Sequence, residues 1–257
     1  MPVLVVVLLA LLAGCVRTEP GMREVRTEEA VSNRVSAALE YLQMDRPAEA
    51  RQHLRRALEL DNRNARTHNA MALLYRYEED PEREEEHYRL ALRADRDYAP
   101  ARTNLGTLYM RQGRFEDAIR ELERAADNPD YDRRSLAYEN LGRAYVELGR
   151  EEDALHAFNR AVRLDRHTVR PYMELSGLYL RNEDPRRADQ YFREYTSRIG
   201  GIDNLNARGL WLGIRVADLN NNDTLRRDLE QLLEEEYPDS REFRAWQEWR
   251  EQQGGYS

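Results

Sequence analysis

The sequence predicts an all-α solenoid of stacked helix-turn-helix repeats, closed by a C-terminal capping helix. Three observations predict it. A tyrosine recurs at intervals of 34 residues, from Tyr41 to Tyr75 to Tyr109 and again from Tyr145 to Tyr179. Small residues stand at fixed offsets on either side of each tyrosine. Turn-forming residues fall between the apolar stretches and not within them.

Each repeat carries Leu-Gly-x-x-Tyr or a relative of it, then a small residue, a larger apolar residue and a second small residue. Ala37-Ala38-x-x-Tyr41 leads to Ala50, Leu54 and Ala57. Met71-Ala72-x-x-Tyr75 leads to Glu84, Tyr88 and Ala91, so Glu84 stands where a small residue is expected. Leu105-Gly106-x-x-Tyr109 leads to Ala118, Leu122 and Ala125, and Leu141-Gly142-x-x-Tyr145 to Ala154, Phe158 and Ala161. Leu175-Ser176-x-x-Tyr179 leads to Ala188, Phe192 and Tyr195. Leu212-Gly213-x-x-Val216 leads to Leu225, Leu229 and Leu232, a degenerate sixth repeat. A 34-residue helical pair is the signature of the tetratricopeptide repeat (TPR). Glycine and alanine let two helices approach closely, and the aromatic residues fill the space between pairs. One pair cannot bury its apolar face alone, so neighbours stack into a superhelix.

The turns agree with this register. Asp80-Pro81 and Asp184-Pro185 place an N-cap acid before a proline at the first helical position. Gly113 and Gly149 end first helices with a residue able to turn left-handed. Additional residues fall in loops at Asn128-Pro129-Asp130 and Gly200-Gly201-Ile202. Asp223 is the expected N-cap of the sixth repeat's second helix. Asp239-x-x-Glu242 resembles a capping box opening a last helix to about Gln252, whose Phe243, Trp246 and Trp249 would cover the final apolar face. The expected organisation is an address at 1–14, a tether at 15–30, a repeat array with its cap at 31–252 and a disordered tail at 253–257.

Composition narrows the function. The 257 residues carry a net charge of -8, with 48 acidic and 40 basic side chains, so no broad basic field awaits a nucleic acid. Every basic residue is arginine, which excludes Schiff-base chemistry on lysine and a Walker phosphate loop. The single cysteine excludes a disulfide framework and a cysteine-based zinc site within one chain. Neither a G-x-S-x-G elbow nor a G-x-G-x-x-G loop occurs. His53, His68, His87, His156 and His167 lack zinc spacing and are expected at the surface. Asp218 to Asp223 begins like a calcium loop but lacks Gly at its sixth place and Glu at its twelfth. The acidic runs Glu82 to Glu86 and Leu233 to Glu236 fit solvated faces of second helices, helped by pairs such as Glu85 with Arg89. Neither cofactor nor small-molecule substrate is expected.

The N-terminus is an address. Val3 to Leu12 is an unbroken apolar run, too short to span a bilayer as a stable anchor but matching the core of a secretory signal. Only Met1-Pro2 precedes it, without the usual positive charge. Leu12-Ala13-Gly14-Cys15 resembles the bacterial lipoprotein lipobox. That resemblance implies lipidation of Cys15, and Val16 in place of Asp implies outer-membrane sorting. Thr18 to Thr27 is polar, contains Pro20-Gly21 and is expected to be a flexible tether.

Protein binding is the activity left for the array. A superhelix of this kind lines its concave face with first helices, and an amide there can donate to and accept from an extended peptide backbone. Asn69, Asn104 and Asn140 recur at such positions, with Leu73, Arg76, Thr107, Met110, Arg143 and Met173 beside them. The same asparagines could equally support helix packing.

Three further segments sharpen the reading: Tyr131-Asp132-Arg133-Arg134-Ser135, Asn206 to Arg215 (N-A-R-G-L-W-L-G-I-R), and Tyr237 to Phe243 (Y-P-D-S-R-E-F). Together with the lipobox and six repeats they resemble the type IV pilus biogenesis and stability lipoproteins called PilF or PilW. The resemblance implies a pilotin, an outer-membrane lipoprotein on the periplasmic face that binds the secretin subunit and promotes its localisation and multimerisation. The alternative is a general periplasmic TPR scaffold that recruits peptidoglycan or outer-membrane assembly factors.

Overall fold

A computed structural model describes residues 20–254. The apolar run, the lipobox and Cys15 lie outside the described residues, as do positions 255–257. Among the described residues there are thirteen α-helices and no strand. They run α1 (Pro20–Gln43), α2 (Pro47–Leu60), α3 (Ala65–Tyr77), α4 (Pro81–Ala94), α5 (Ala99–Arg111), α6 (Phe115–Asp127) and α7 (Arg134–Glu147). Then follow α8 (Glu151–Leu164), α9 (Arg170–Arg181), α10 (Pro185–Ile199), α11 (Ala207–Leu219), α12 (Asp223–Glu236) and α13 (Arg241–Gly254). Odd-numbered helices from α1 to α11 are the first helices of six pairs, and α13 is the cap. No described helix is long and apolar enough to cross a membrane. The chain forms two compact units, one through His87 and one from Tyr88, each considered by itself below.

The core within each pair follows the repeat register. Ala50, Leu54 and Ala57 of α2 are fully buried against α1 and α3 with Val35 and Ala38. In the second unit Ala118, Leu122, Ala154, Phe158, Ala188 and Phe192 occupy the matching places, all buried. The glycines matter by their absence of a side chain. A Cβ on Gly106 would lie 2.6 Å from Leu122 Cγ, and one on Gly142 would lie 2.7 Å from Phe158 Cε1.

The same turn joins the two helices of all six pairs. The backbone N–H after each turn donates to the carbonyl five residues earlier, as from Arg46 to Tyr41, Asp80 to Tyr75, Arg114 to Tyr109, Arg150 to Tyr145, Asp184 to Tyr179 and Asn222 to Ala217. This is the closing bond of a Schellman-type helix end, which needs one left-handed residue. Gly113 and Gly149 supply it with φ of 72° and 70°. Asp45, Glu79, Glu183 and Asn221 adopt the same conformation, with φ between 53° and 60°, without being glycine. The arginine beside the turn then folds back over the tyrosine. Its Cζ lies 4.9 Å from the ring centroid for Arg46 on Tyr41, 4.0 Å for Arg114 on Tyr109 and 4.5 Å for Arg150 on Tyr145. Each of these arginines also pairs with the carboxylate three residues on: Glu49, Asp117 and Asp153. Cation, ring and carboxylate thus tie the two helices of a pair together at the turn.

Several expectations need correction. Helix α1 starts at Pro20, so the stretch to Thr27 is helical and not a flexible tether. Proline is tolerated at a first turn, and nothing between Met22 and Ala30 breaks a helix. Asp239 does not cap α13. Ser240 Oγ accepts from the Phe243 N–H, and Glu242 pairs with Arg241 instead of reaching back. The helix also runs to Gly254, past the expected end at Gln252. Asn222, not Asp223, caps α12, its side chain accepting from the Leu225 N–H.

The histidines do not all lie at the surface. His68 is buried, and His53 and His87 are half-buried, whereas His156 and His167 are exposed. Their aromatic neighbours explain the inward rings: His53 lies by Tyr41, and His87 by both His68 and Tyr75. The acidic run in α4 is likewise mixed, since Glu82 and Glu86 are exposed but Glu84 is buried at the inward position of the register.

Candidate protein-binding surface

In the first unit, the first helices α1 and α3 frame a cleft of about 360 Å³. Leu73 and Arg76 line it, with Leu39, Leu42 and Tyr77. Arg76 and Tyr77 are exposed and Leu73 is half-buried, so apolar surface and one cation face outward together. Asn69 is not part of that opening. It is buried, which limits what its amide can offer to a ligand.

In the second unit the expected positions fall into two groups. Thr107, Asn140 and Arg143 form one hydrogen-bonded cluster between α5 and α7. Asn140 Nδ2 donates to Thr107 Oγ1 at 3.3 Å, Thr107 Oγ1 donates to the Thr103 carbonyl at 2.9 Å, and Arg143 Nη1 donates to Asn140 Oδ1 at 3.3 Å. Asn140 is 5% exposed, so its amide is already spent on joining first helices. Burial, with Arg170 nearby, holds the Arg143 guanidinium below its ordinary pKa, against the pull of Glu139, Glu174 and Glu147. Asn104, Met110, Arg143 and Met173 are half-buried and present part of their surface. Neighbouring helices are also joined by opposite charges: Glu139 with Arg170 at 3.6 Å, Glu151 with Arg181 at 2.7 Å, and Glu174 with Arg208 at 3.0 Å.

Met173 belongs to a separate feature, a groove of about 200 Å³ between α9 and α11. Its floor and walls are Met173, Gly177, Leu180, Trp211 and Leu212, with Arg181, Arg208 and Arg215 at the rim and Glu174 among them. The Trp211 and Trp249 rings meet edge to face at 5.8 Å, and Arg215 lies over both, 5.4 Å from one centroid and 5.7 Å from the other. Trp246 is the residue that closes the core, at 3% exposure. Sequence reasoning named only Met173 of this groove. A signal was present in Gly177, a mid-helix glycine outside the pattern of small residues that allow close approach. A Cβ there would find nothing nearer than 4.0 Å. Among the described residues no group of three or more His, Cys, Asp or Glu could hold a metal ion.

Comparison with known proteins accords with this architecture. Tetratricopeptide repeat models match residues 33–64, 65–98 and 103–171. The chain is 31% identical over 239 residues to the type IV pilus assembly protein PilF of Pseudomonas aeruginosa, covering 92% of this chain and 93% of the relative. A solved structure of Pseudomonas aeruginosa PilF superposes with a TM-score of 0.80 at 31% identity, over 86% of this chain and 98% of that one. The structure of PilW, described as a widely conserved type IV pilus biogenesis factor, shares the fold with a TM-score of 0.71 at 24% identity, over 84% and 97% of the two chains.

Proposed function

The chain belongs to the PilF and PilW family of type IV pilus assembly TPR proteins, a family of non-enzymatic scaffolds, and we propose that it acts as a pilotin. In this reading it binds the secretin subunit of the pilus pore and promotes its localisation and multimerisation. The observation that carries the reading is similarity to a type IV pilus assembly protein that runs the length of both chains and is not confined to the repeats.

Cys15 supplies the anchor in this account. A thioether-linked diacylglycerol and an acylated amine hold a protein at a membrane stably, where one chain would hold it only marginally. The body then sits on the periplasmic face of the outer membrane. An extended secretin segment lies along first helices of the second unit, against Met110, Arg143 and Met173, and Leu73 and Arg76 offer a contact surface of their own in the first unit. Asn140 holds the surface in shape and does not grip the ligand, because its amide is already bonded on both sides.

Affinity purification of the tagged full chain from detergent-solubilised envelope tests this, with mass spectrometry of what elutes. Secretin should be the enriched envelope protein. Its absence, with peptidoglycan enzymes or outer-membrane assembly factors in its place, would transfer the chain to a general scaffolding role.

A further inference from the structure

The groove between α9 and α11 has an electrostatic asymmetry. Of its three rim arginines, Arg181 bonds to Glu151 and Arg208 donates to both oxygens of Glu174. Arg215 lies on the Trp211 and Trp249 rings and has no carboxylate partner among the described residues. A guanidinium stacked on aromatic faces keeps its N–H edges free and fixed in direction, an arrangement suited to a planar carboxylate. Beneath it the floor is apolar and narrow. Gly177 opens that floor: the ordinary repeat pattern would allow a side chain there, since nothing in the fold occupies the space.

We propose that this groove receives an extended peptide segment of a partner protein, seating an aliphatic side chain on Gly177 between Leu180 and Leu212 and binding a neighbouring Asp or Glu carboxylate at Arg215. The proposal rests on the protein-binding reading above and gives it a chemistry. The charge of the rim selects the acid, since the one available group is a cation. The apolar lining of Met173, Leu180, Trp211 and Leu212 selects an apolar side chain, here taken as aliphatic, and the small size of the groove excludes a folded surface. Arg181 and Arg208 contribute less, being already balanced.

The test uses the full chain and a phage-displayed library of random dodecapeptides. Recovered peptides should share an aliphatic residue within a few positions of an acid. Synthetic versions should bind Arg215→Gln roughly tenfold or more weakly than the unchanged chain, a loss expected for one charge-assisted hydrogen bond, and Gly177→Leu at least as weakly, because its side chain fills the space the aliphatic residue would enter. Arg181→Gln should bind nearly as well as the unchanged chain. Folding is checked by the thermal midpoint, and Gly177→Ala serves as the control, because it should not lower that midpoint. Recovery of no peptide, recovery of peptides without the acid, or binding by either variant as tight as that of the unchanged chain would overturn the proposal. So would a dimer of the unchanged chain that Gly177→Leu dissociates, which would place a second copy in the groove. Secretin multimers are scored in parallel in cells lacking the chain. If they persist there, the pilotin reading fails whatever the library shows. If they vanish there and the library fails, only the groove proposal falls.

Discussion

The ring of Phe158 lies so close to Gly142 that a Cβ on the glycine would come 2.7 Å from Cε1 and 2.8 Å from Cδ1. Phe158 is fully buried, so it has nowhere to withdraw. Gly142→Leu should therefore lower stability by about 1–3 kcal/mol through overpacking. Gly177→Ala, in open space, should raise it by up to ~1 kcal/mol, because glycine is a poor helix former. Thermal or urea unfolding of the two variants side by side measures the contrast.

The shared turn yields a second prediction. Glu183 holds φ at 53°, where Gly149 holds 70° at the matching place. A side chain in the left-handed region costs roughly 1–2 kcal/mol, partly offset by the entropy glycine loses on folding. Glu183→Gly should be neutral or stabilising by less than ~1 kcal/mol, whereas Gly149→Val should be clearly destabilising. Denaturant midpoints at constant m would show it.

Stability should fall in mild acid because of His87. His68 Nε2 is 3.0 Å from the Asn62 carbonyl and so carries its proton, leaving Nδ1 to face His87 Nδ1 at 3.3 Å. Burial, and then the neighbouring His68, lower the His87 pKa from 6.5 to about 4, with Glu86 opposing. The unfolded chain therefore binds the extra proton first. The contribution is present in full above pH 6.5 and is lost as pH falls from there towards 4. His87→Gln should flatten the pH dependence of the unfolding free energy across that window.

The anchor is testable independently of the fold. Cys15→Ser should abolish incorporation of a palmitate analogue, since a serine oxygen cannot form the thioether. It should also shift the chain from the outer-membrane fraction to the soluble periplasm. Continued labelling would refute lipidation at this position.

Much of the fold was legible in the sequence because TPR packing is local. The 34-residue period, Gly106, Gly142 and the buried Ala50, Ala118, Ala154 and Ala188 each encode one contact with a neighbour a helix away. Caps were legible only to within a residue, since Ser240 and Asn222 stand next to equally good capping residues. The candidate site was less legible. Position in a repeat says which helix face a residue occupies, but not whether its polar group is already bonded, and Asn140 is bonded to Thr107 and Arg143. Gly177 could mark the place of the groove, but the setting of Arg215 involves Trp249, more than seventy residues from that glycine in sequence, so no local pattern could reveal it.

The central claim is that this chain promotes secretin assembly through its first-helix surface. The most direct measurement is the ratio of secretin multimer to monomer in outer membranes, by immunoblot of unboiled gels. Cells lacking the chain are complemented with the unchanged protein or with a Met110→Glu, Arg143→Glu, Met173→Glu variant of native circular dichroism. The account predicts that multimers disappear without the chain, return with the unchanged protein and fail to return with the variant. Full multimers in cells lacking the chain would contradict it.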